Sequence, residues 1–75
     1  MDSVNYELRY VRQAEQCGRV MERLHARGHT AVQIAPSAGT HYYLSSDAPL
    51  AVVCEAAREV ALIIQVVVLP EGGHV

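Results

Sequence analysis

The chain has 75 residues, of which 51% are hydrophobic and 19% charged, a composition typical of a folded globular domain rather than a disordered segment. Six arginines stand against eight acidic residues and give a formal net charge of −2, so the overall positive charge typical of nucleic-acid-binding domains is missing. This length allows one hydrophobic core, and a domain of this size is often stabilised further by disulfides, by a bound metal ion or by oligomerisation.

A two-residue alternation over residues 4–11 predicts the first strand. Tyr6 and Leu8 are apolar and alternate with Glu7 and Arg9, so one face of the strand is expected to be buried and the other open. The two charged residues are expected on the open face.

The period changes to three and four residues over 13–27, which predicts an amphipathic helix. Cys17 and Leu24 lie on its apolar stripe, and Gly28 stands where a left-handed residue would end the helix. Gly18 inside the helix costs about 1 kcal/mol relative to alanine. It is either tolerated there or needed for close packing against the sheet.

Two short runs of strand-forming residues, 29–35 and 40–45, predict a hairpin. Pro36 is expected to end the first strand because proline cannot donate a hydrogen bond to the sheet. In the second strand, Tyr42 and Leu44 are taken as the inward residues.

The second half of the chain predicts another helix, 48–61, and another strand, 62–69. A side-chain oxygen from Ser46 or Asp47, followed by Pro49, is a specific signal for the start of a helix. The strand reads LIIQVVVL and is apolar on both faces, which predicts that both of its sides, or one of its edges, are covered.

The predicted element order is β-α-β-β-α-β, followed by a flexible tail over 71–75. Two right-handed crossovers around a central hairpin place both helices on one face of a four-stranded antiparallel sheet with strand order 4-1-3-2. The sequence therefore predicts an α+β fold of the ferredoxin-like type, formed by a single domain over 1–75.

Element order and length resemble, as topology, those of amino-acid-sensing ACT domains, septal glycan-binding SPOR domains and phage-encoded inhibitor proteins with ferredoxin-like folds. The resemblance covers the whole chain. No family motif is matched residue by residue, so the resemblance assigns no functional residue.

The face of the sheet that the helices leave open is the first candidate binding surface. Its predicted residues are Glu7, Arg9, Gln33, His41, Tyr43, Ile63, Gln65 and Val67. Ile63 and Val67 lie on the last strand, at an edge of the sheet, where exposed apolar residues favour association. A partner is expected there, and a second copy related by a two-fold axis is the simplest one.

Positive charge on the first helix gives a second candidate surface. Arg19 and Arg23 lie on the polar side of this helix and are included among the candidate partner-binding residues. The alternative interpretation is a solvated helix face, because positive charge alone is not a recognition mechanism.

Nucleic-acid and metal binding find little support in the residue pattern. Sheets of this order bind RNA by stacking bases on aromatic residues of the central strands, but the first strand offers Glu7 and Arg9 instead. His25 and His29 have the spacing of two metal ligands on a helix, but Gly28 should break the helix between them. Neither a metal site nor a cofactor is predicted.

Catalysis has one candidate cluster, in which His41, Glu7 and Arg9 could act on a small substrate. Cys17 and Cys54 fall on apolar stripes and are expected to be buried thiols rather than nucleophiles. The sequence therefore predicts a protein without enzymatic activity and without catalytic residues.

Two cysteines without a secretory signal indicate a reducing compartment, and no run approaches the ~20 apolar residues of a membrane helix. A cytoplasmic, stand-alone interaction protein is expected, which binds and modulates a protein partner, with inhibition as the favoured effect, through the open face, a sheet edge or the first helix. The alternative is an ACT-like regulatory domain that acts as a dimer and holds a small metabolite near His41 and Tyr43.

Overall fold

The computed structural model describes residues 2–70, which form helices and strands in the predicted order. The elements are β1 (Val4–Arg9), α1 (Ala14–Ala26), β2 (Ala31–Ala38), β3 (His41–Ser46), α2 (Leu50–Val60) and β4 (Gln65–Val68). The flexible tail predicted over 71–75 lies outside the described residues.

The strands form one antiparallel sheet in the order β2-β3-β1-β4. β1 and β3 are therefore the central strands, and β2 and β4 are the two edges. This architecture and this strand order confirm the predicted ferredoxin-like α+β fold.

The core lies between the helices and one face of the sheet. β1 contributes Tyr6 and Leu8, and β3 contributes Tyr42 and Leu44, all buried. The helices contribute Cys17, Val20, Leu24, Val53, Ala56 and Ala57. The inward direction predicted for Tyr42 and Leu44 is confirmed, and the alternate residues of β1 and β3 point to the other face.

α1 begins with a side-chain cap and ends at a glycine. The Gln16 side-chain oxygen accepts hydrogen bonds from the backbone N–H groups of Arg12, at 2.9 Å, and Gln13, at 3.3 Å, which satisfies donors near the helix start. Gly28 has a φ of +85° and donates its N–H to the carbonyl of His25 at 2.9 Å. This is the left-handed helix end that the sequence predicts.

The helices are short, with 13 residues in α1 and 11 in α2. Within residues 2–70, no helix is long and apolar enough to cross a membrane.

β2 is longer than predicted, because it continues through Pro36 to Ala38. An edge strand tolerates a proline that a central strand would not. The register shifts between Gln33 and Ala35 and again between Ala35 and Ala38. Gln33 lies opposite Leu44, on the side of the helices, so its predicted place on the open face is wrong.

The predicted N-cap of α2 is also wrong. α2 follows Pro49, and no side chain caps its first turn. The Asp47 carboxylate instead accepts the backbone N–H of Thr30 at 3.0 Å, and the Ser46 hydroxyl accepts the backbone N–H of Ala48 at 3.0 Å. These side chains fix the chain between β3 and α2, and Asp47 also joins it to the start of β2.

β4 has four residues, not the eight of the buried strand predicted over 62–69. Leu62 and Ile63 lie in a turn, and 86% and 47% of their surfaces are exposed. β1 ends at Arg9, whose partner Gln65 is the first residue of β4. The residues before Gln65 therefore connect α2 to the sheet, and their apolar character does not mark a strand.

Candidate functional site

The candidate site lies on the face of the sheet that points away from the helices, which we call the open face. Within residues 2–70, both helices pack on the opposite face, and no other helix or strand covers this one. Paired residues of neighbouring antiparallel strands point to the same side, so the side chains of the open face form rows across the sheet.

Three side chains that can each donate hydrogen bonds form one row. Arg9 of β1 pairs with Gln65 of β4. On its other side, the β1–β3 register pairs Leu8 with Tyr42, so the next position along the two strands places Arg9 beside His41. We call His41, Arg9 and Gln65 the donor row.

The neighbouring row places a carboxylate between two less polar side chains. Glu7 of β1 pairs with Tyr43 of β3 on one side and with Val67 of β4 on the other. We call Tyr43, Glu7 and Val67 the middle row. Tyr43 and Val67 are half-buried, so each still offers surface to a partner.

The Glu7 carboxylate connects the two rows. One oxygen accepts a hydrogen bond from Nδ1 of His41 at 2.6 Å, and the other accepts one from Nε of Arg9 at 3.1 Å. Only 7% of the Glu7 surface is exposed, although the face is uncovered. The carboxylate is therefore enclosed by the side chains around it and holds two of the three donor-row residues in place.

These contacts keep Glu7 ionised. The hydrogen bond from His41 holds the pKa of the Glu7 carboxyl below its usual range, and the hydrogen bond and positive charge of Arg9 add to this effect. Partial burial acts in the opposite direction but is outweighed. At neutral pH, Arg9 is positively charged and Glu7 is negatively charged, and His41 is held beside them by its hydrogen bond to Glu7.

The outer atoms of the donor row are available to a ligand. The contacts with Glu7 use Nδ1 of His41 and Nε of Arg9, and 41% and 42% of these two side chains are exposed. Nε2 of His41 and the terminal guanidinium nitrogens of Arg9 are not used in these contacts. A histidine that donates from Nδ1 accepts at Nε2 while it is neutral and donates there once it is protonated.

Most of the candidate residues come together on the open face, and four do not: Gln33, which pairs with Leu44 on the side of the helices, and Ile63, Arg19 and Arg23. Glu7, Arg9, His41, Tyr43, Gln65 and Val67 form the donor and middle rows. Ile63 lies in the turn before β4, so its predicted place on the strand is wrong. Arg19 and Arg23 lie on α1 and pair with Glu15, at 2.9 Å, and with Glu59 of α2, at 3.2 Å.

Further residues of the open face did not enter the predicted set. Ser45 pairs with Asn5 of β1 and with Val32 of β2, and Ala35 pairs with Tyr43. Asn5 could have been predicted, because it lies two residues before Glu7 in β1 and its side chain therefore points to the same face of the sheet. Val32 could not, because an apolar residue that alternates with Gln33 is expected to point inward, whereas Val32 pairs with Ser45 on the open face and is 59% exposed.

A second histidine and carboxylate pair lies at the other end of the hairpin. Asp47 contacts Nδ1 of His29 at 3.0 Å and also accepts the backbone N–H of Thr30. The hydrogen bond from Thr30 and then that from His29 hold the pKa of Asp47 low. His25 contacts the carbonyl of Ala31 at 2.9 Å instead, so the two histidines weighed as metal ligands have separate partners.

Metal ligands do not cluster in the described part of the chain. Residues 2–70 contain no group of three or more histidine, cysteine or acidic side chains placed to hold a metal ion. A metal-free protein remains a prediction from the sequence.

Four surface depressions lie away from His41 and Arg9, and one of them includes the third residue of the donor row, Gln65. One depression lies where the start of β1 meets the end of β4, and it is lined by residues 2–5 with Val68 and Leu69. The other three lie along the helices and at the start of β4. None of these four includes His41 or Tyr43, where the alternative function would place a metabolite. That alternative remains a prediction from the sequence.

Comparison with protein-family models, with curated proteins and with solved structures gave no significant match. The function has to be inferred from the chemistry of the open face.

Proposed function

We propose that this chain is a small protein-interaction domain that binds a protein partner on its open face and inhibits that partner by covering part of its surface. One observation carries the proposal: an almost fully buried Glu7 carboxylate orders His41 and Arg9 on a sheet face that no described element covers. Ordering side chains before a partner arrives lowers the entropic cost of binding.

The residue types of the two rows fit a protein interface. Aromatic and arginine side chains are enriched where interfaces gain most of their binding energy, and Tyr43 and Arg9 occupy neighbouring rows of the open face. Val67 adds apolar surface on the other side of Glu7. A partner would meet an apolar strip beside hydrogen-bond donors.

The arginine-bearing helix is the weaker docking surface. Arg19 is paired within α1, and Arg23 is paired with Glu59, so these charges are already neutralised by carboxylates of the same molecule. Arg27 makes further ion pairs with Glu59 and Glu55. These contacts tie α1 to α2, which is a structural role.

Binding rather than catalysis is proposed because of where the histidine lies. A catalytic base works in a concave site from which water is excluded, whereas His41 stands on an open face with 41% of its side chain exposed. The supporting Glu7 is explained equally well by positioning His41 for a partner.

We also infer that the domain works in the cytoplasm. Cys17 and Cys54 are free thiols, and burial raises the pKa of Cys17, which makes this thiol unreactive. A reducing compartment suits a small domain that carries two unlinked cysteines.

Site-specific photo-crosslinking in the source cells tests the proposed docking surface. A benzophenone amino acid placed at Tyr43 should give a discrete protein adduct, while the same group at Leu50, an exposed apolar position at the start of α2, should not. Val67→Asp should remove the adduct at position 43, because a charge beside Glu7 would disturb the face without entering the core. Equal adducts from both positions, or an adduct unaffected by Val67→Asp in a folded variant, would refute docking on the open face.

A further inference from the structure

We propose that the donor row is a carboxylate-binding site, which takes an acidic side chain of the protein partner and binds it more tightly when His41 is protonated. This inference rests on the proposed function and adds the chemistry of the partner. The inference is based on the atoms of the donor row that contact Glu7 and on the atoms that do not, which can bind a ligand.

Arginine binds carboxylates best through two parallel N–H groups. Arg9 meets Glu7 through Nε, at 3.1 Å, and its terminal nitrogens take no part in this contact. Gln65, the cross-strand neighbour of Arg9, is exposed and adds an amide that can donate. The row therefore presents donors from two strands to the same region of the open face.

Among the described residues of the open face, no accessible acidic side chain competes with a partner's carboxylate for the donor row. Among the described residues of the face, Glu7 is the acidic one, and it is 7% exposed with both oxygens engaged. Within residues 2–70, a second copy docked through the same face would bring no accessible carboxylate to the donor row. The occupant is therefore a different protein that carries an acidic side chain next to an apolar one, to match the donor and middle rows.

Protonation of His41 should strengthen this site. The ionisable groups of the described open face are Glu7 and Arg9 from β1 and His41 and Tyr43 from β3, and the paired residues of β2 and β4 add none. When His41 gains a proton, its Nε2 changes from acceptor to donor and the cluster of Glu7, Arg9 and His41 changes from neutral to a charge of +1. The pKa of the Glu7 carboxyl lies below its usual range because of the hydrogen bond from His41, so the carboxylate stays ionised across the pH range of the test.

Hexanoate is a suitable probe, because its carboxylate can meet the donor row while its alkyl chain meets Tyr43 and Val67. Titration of the ¹⁵N-labelled full chain, followed by two-dimensional NMR, should shift the signals of Arg9, His41 and Gln65. Binding should be roughly threefold tighter at pH 5.5 than at pH 8, the effect expected of one exposed ion pair. Hexanamide, which lacks the charge, should leave these signals in place.

Three variants make the assignment specific. Arg9→Gln should abolish binding, while Arg58→Gln, which removes an exposed arginine from α2, should leave it unchanged. His41→Asn should keep binding but make it independent of pH, and a dispersed spectrum confirms that each variant is folded. Equal losses in Arg9→Gln and Arg58→Gln, shifts by hexanamide, or pH dependence that survives in His41→Asn would each overturn the inference.

The two proposals fail in different ways. Hexanoate binding at the donor row without an adduct at position 43 would leave the carboxylate site and refute the docking surface. An adduct at position 43 without hexanoate binding would leave the docking surface and overturn the carboxylate site.

Discussion

At the scale of single residues, Glu7 is the position where the open face departs most from an ordinary solvated sheet surface. Burying a carboxylate is unfavourable unless its charge is balanced and its oxygens accept hydrogen bonds. His41 and Arg9 meet both conditions at 2.6 and 3.1 Å. The charge of Glu7 is therefore stabilised by residues that also form the candidate site.

Glu7→Gln should lower the free energy of unfolding at pH 7 by about 1–2 kcal/mol, since the amide can accept one of the two charge-assisted bonds but not both. The pKa of Glu7 is lowered in the folded state. Its contribution to stability is therefore complete above the unfolded value near 4.5 and is lost as the pH falls through the lower, folded value. Urea unfolding at pH 7, 5 and 3 should show the difference shrinking at the acid end.

Glu22→Gln is the matched control, because Glu22 is an exposed residue of α1 and should leave stability unchanged at each pH. A difference between Glu7→Gln and the native chain that persists undiminished at pH 3 would show that the carboxylate charge is not its cause.

At the scale of helices and strands, local pattern was enough to predict most of the fold. Alternation in β1, the three- and four-residue period of α1 and the glycine at its end all agree with the tertiary structure, so the element order and the strand order followed. The errors lie where tertiary context decides. The run from Leu62 is apolar, but β1 offers β4 a partner only from Gln65 onward, and no property of the run itself sets that boundary.

Gly18 and Gly28 provide a test of the backbone interpretation of α1. A β-carbon added at either position would meet no atom within 4 Å, so packing does not require glycine at Gly18. Gly18→Ala should raise the free energy of unfolding by about 0.5–1 kcal/mol, because alanine favours the helix interior. Gly28→Ala should lower it by about 1–2 kcal/mol, because only Gly28 of the two has a positive φ.

Urea unfolding of both variants measures the two effects in the same helix. A destabilised Gly18→Ala would mean that an atom does approach this position, and an unchanged Gly28→Ala would mean that α1 ends without a left-handed residue.

At the scale of the whole molecule, the site is a product of strand pairing. Alternation within β1 is sufficient to predict that Glu7 and Arg9 share one face, whereas placing His41 and Tyr43 on the same face also required taking Tyr42 and Leu44 as the inward residues of β3. That Glu7 lies opposite Tyr43 is a matter of register between strands whose paired residues are 34 or more positions apart in the chain, and the depth of its burial follows from that register. The sequence could predict the side of the sheet on which these side chains lie, but it could not predict the contacts between them or the burial of Glu7.

The molecule measures 30 × 28 × 17 Å, and its thin dimension corresponds to one sheet and one layer of helices. Both edges of the sheet carry exposed apolar residues. On one edge these are Val32 and Ile34 of β2, 59% and 44% exposed, and on the other they are Val68 of β4 and Leu62 and Ile63 in the turn that leads into β4. Leu62 and Ile63 are adjacent and lie beside a four-residue edge strand, so their turn and β4 together form the more continuous apolar surface. We expect homodimers to form through this edge, which leaves the open face to a different protein.

Light scattering over a concentration series should therefore show the mass rising toward that of a dimer, with no effect of reductant because apolar contacts, rather than buried Cys17 or half-buried Cys54, join the two copies. Leu62→Ser should return the chain to a monomer, while Val32→Ser, a matched change at the opposite edge, should leave the dimer intact. Loss of the dimer in Val32→Ser alone would move the interface to β2 and onto the open face, where it would compete with the partner. A native chain that stays monomeric at every concentration would refute self-association and leave both edges of the sheet unpaired.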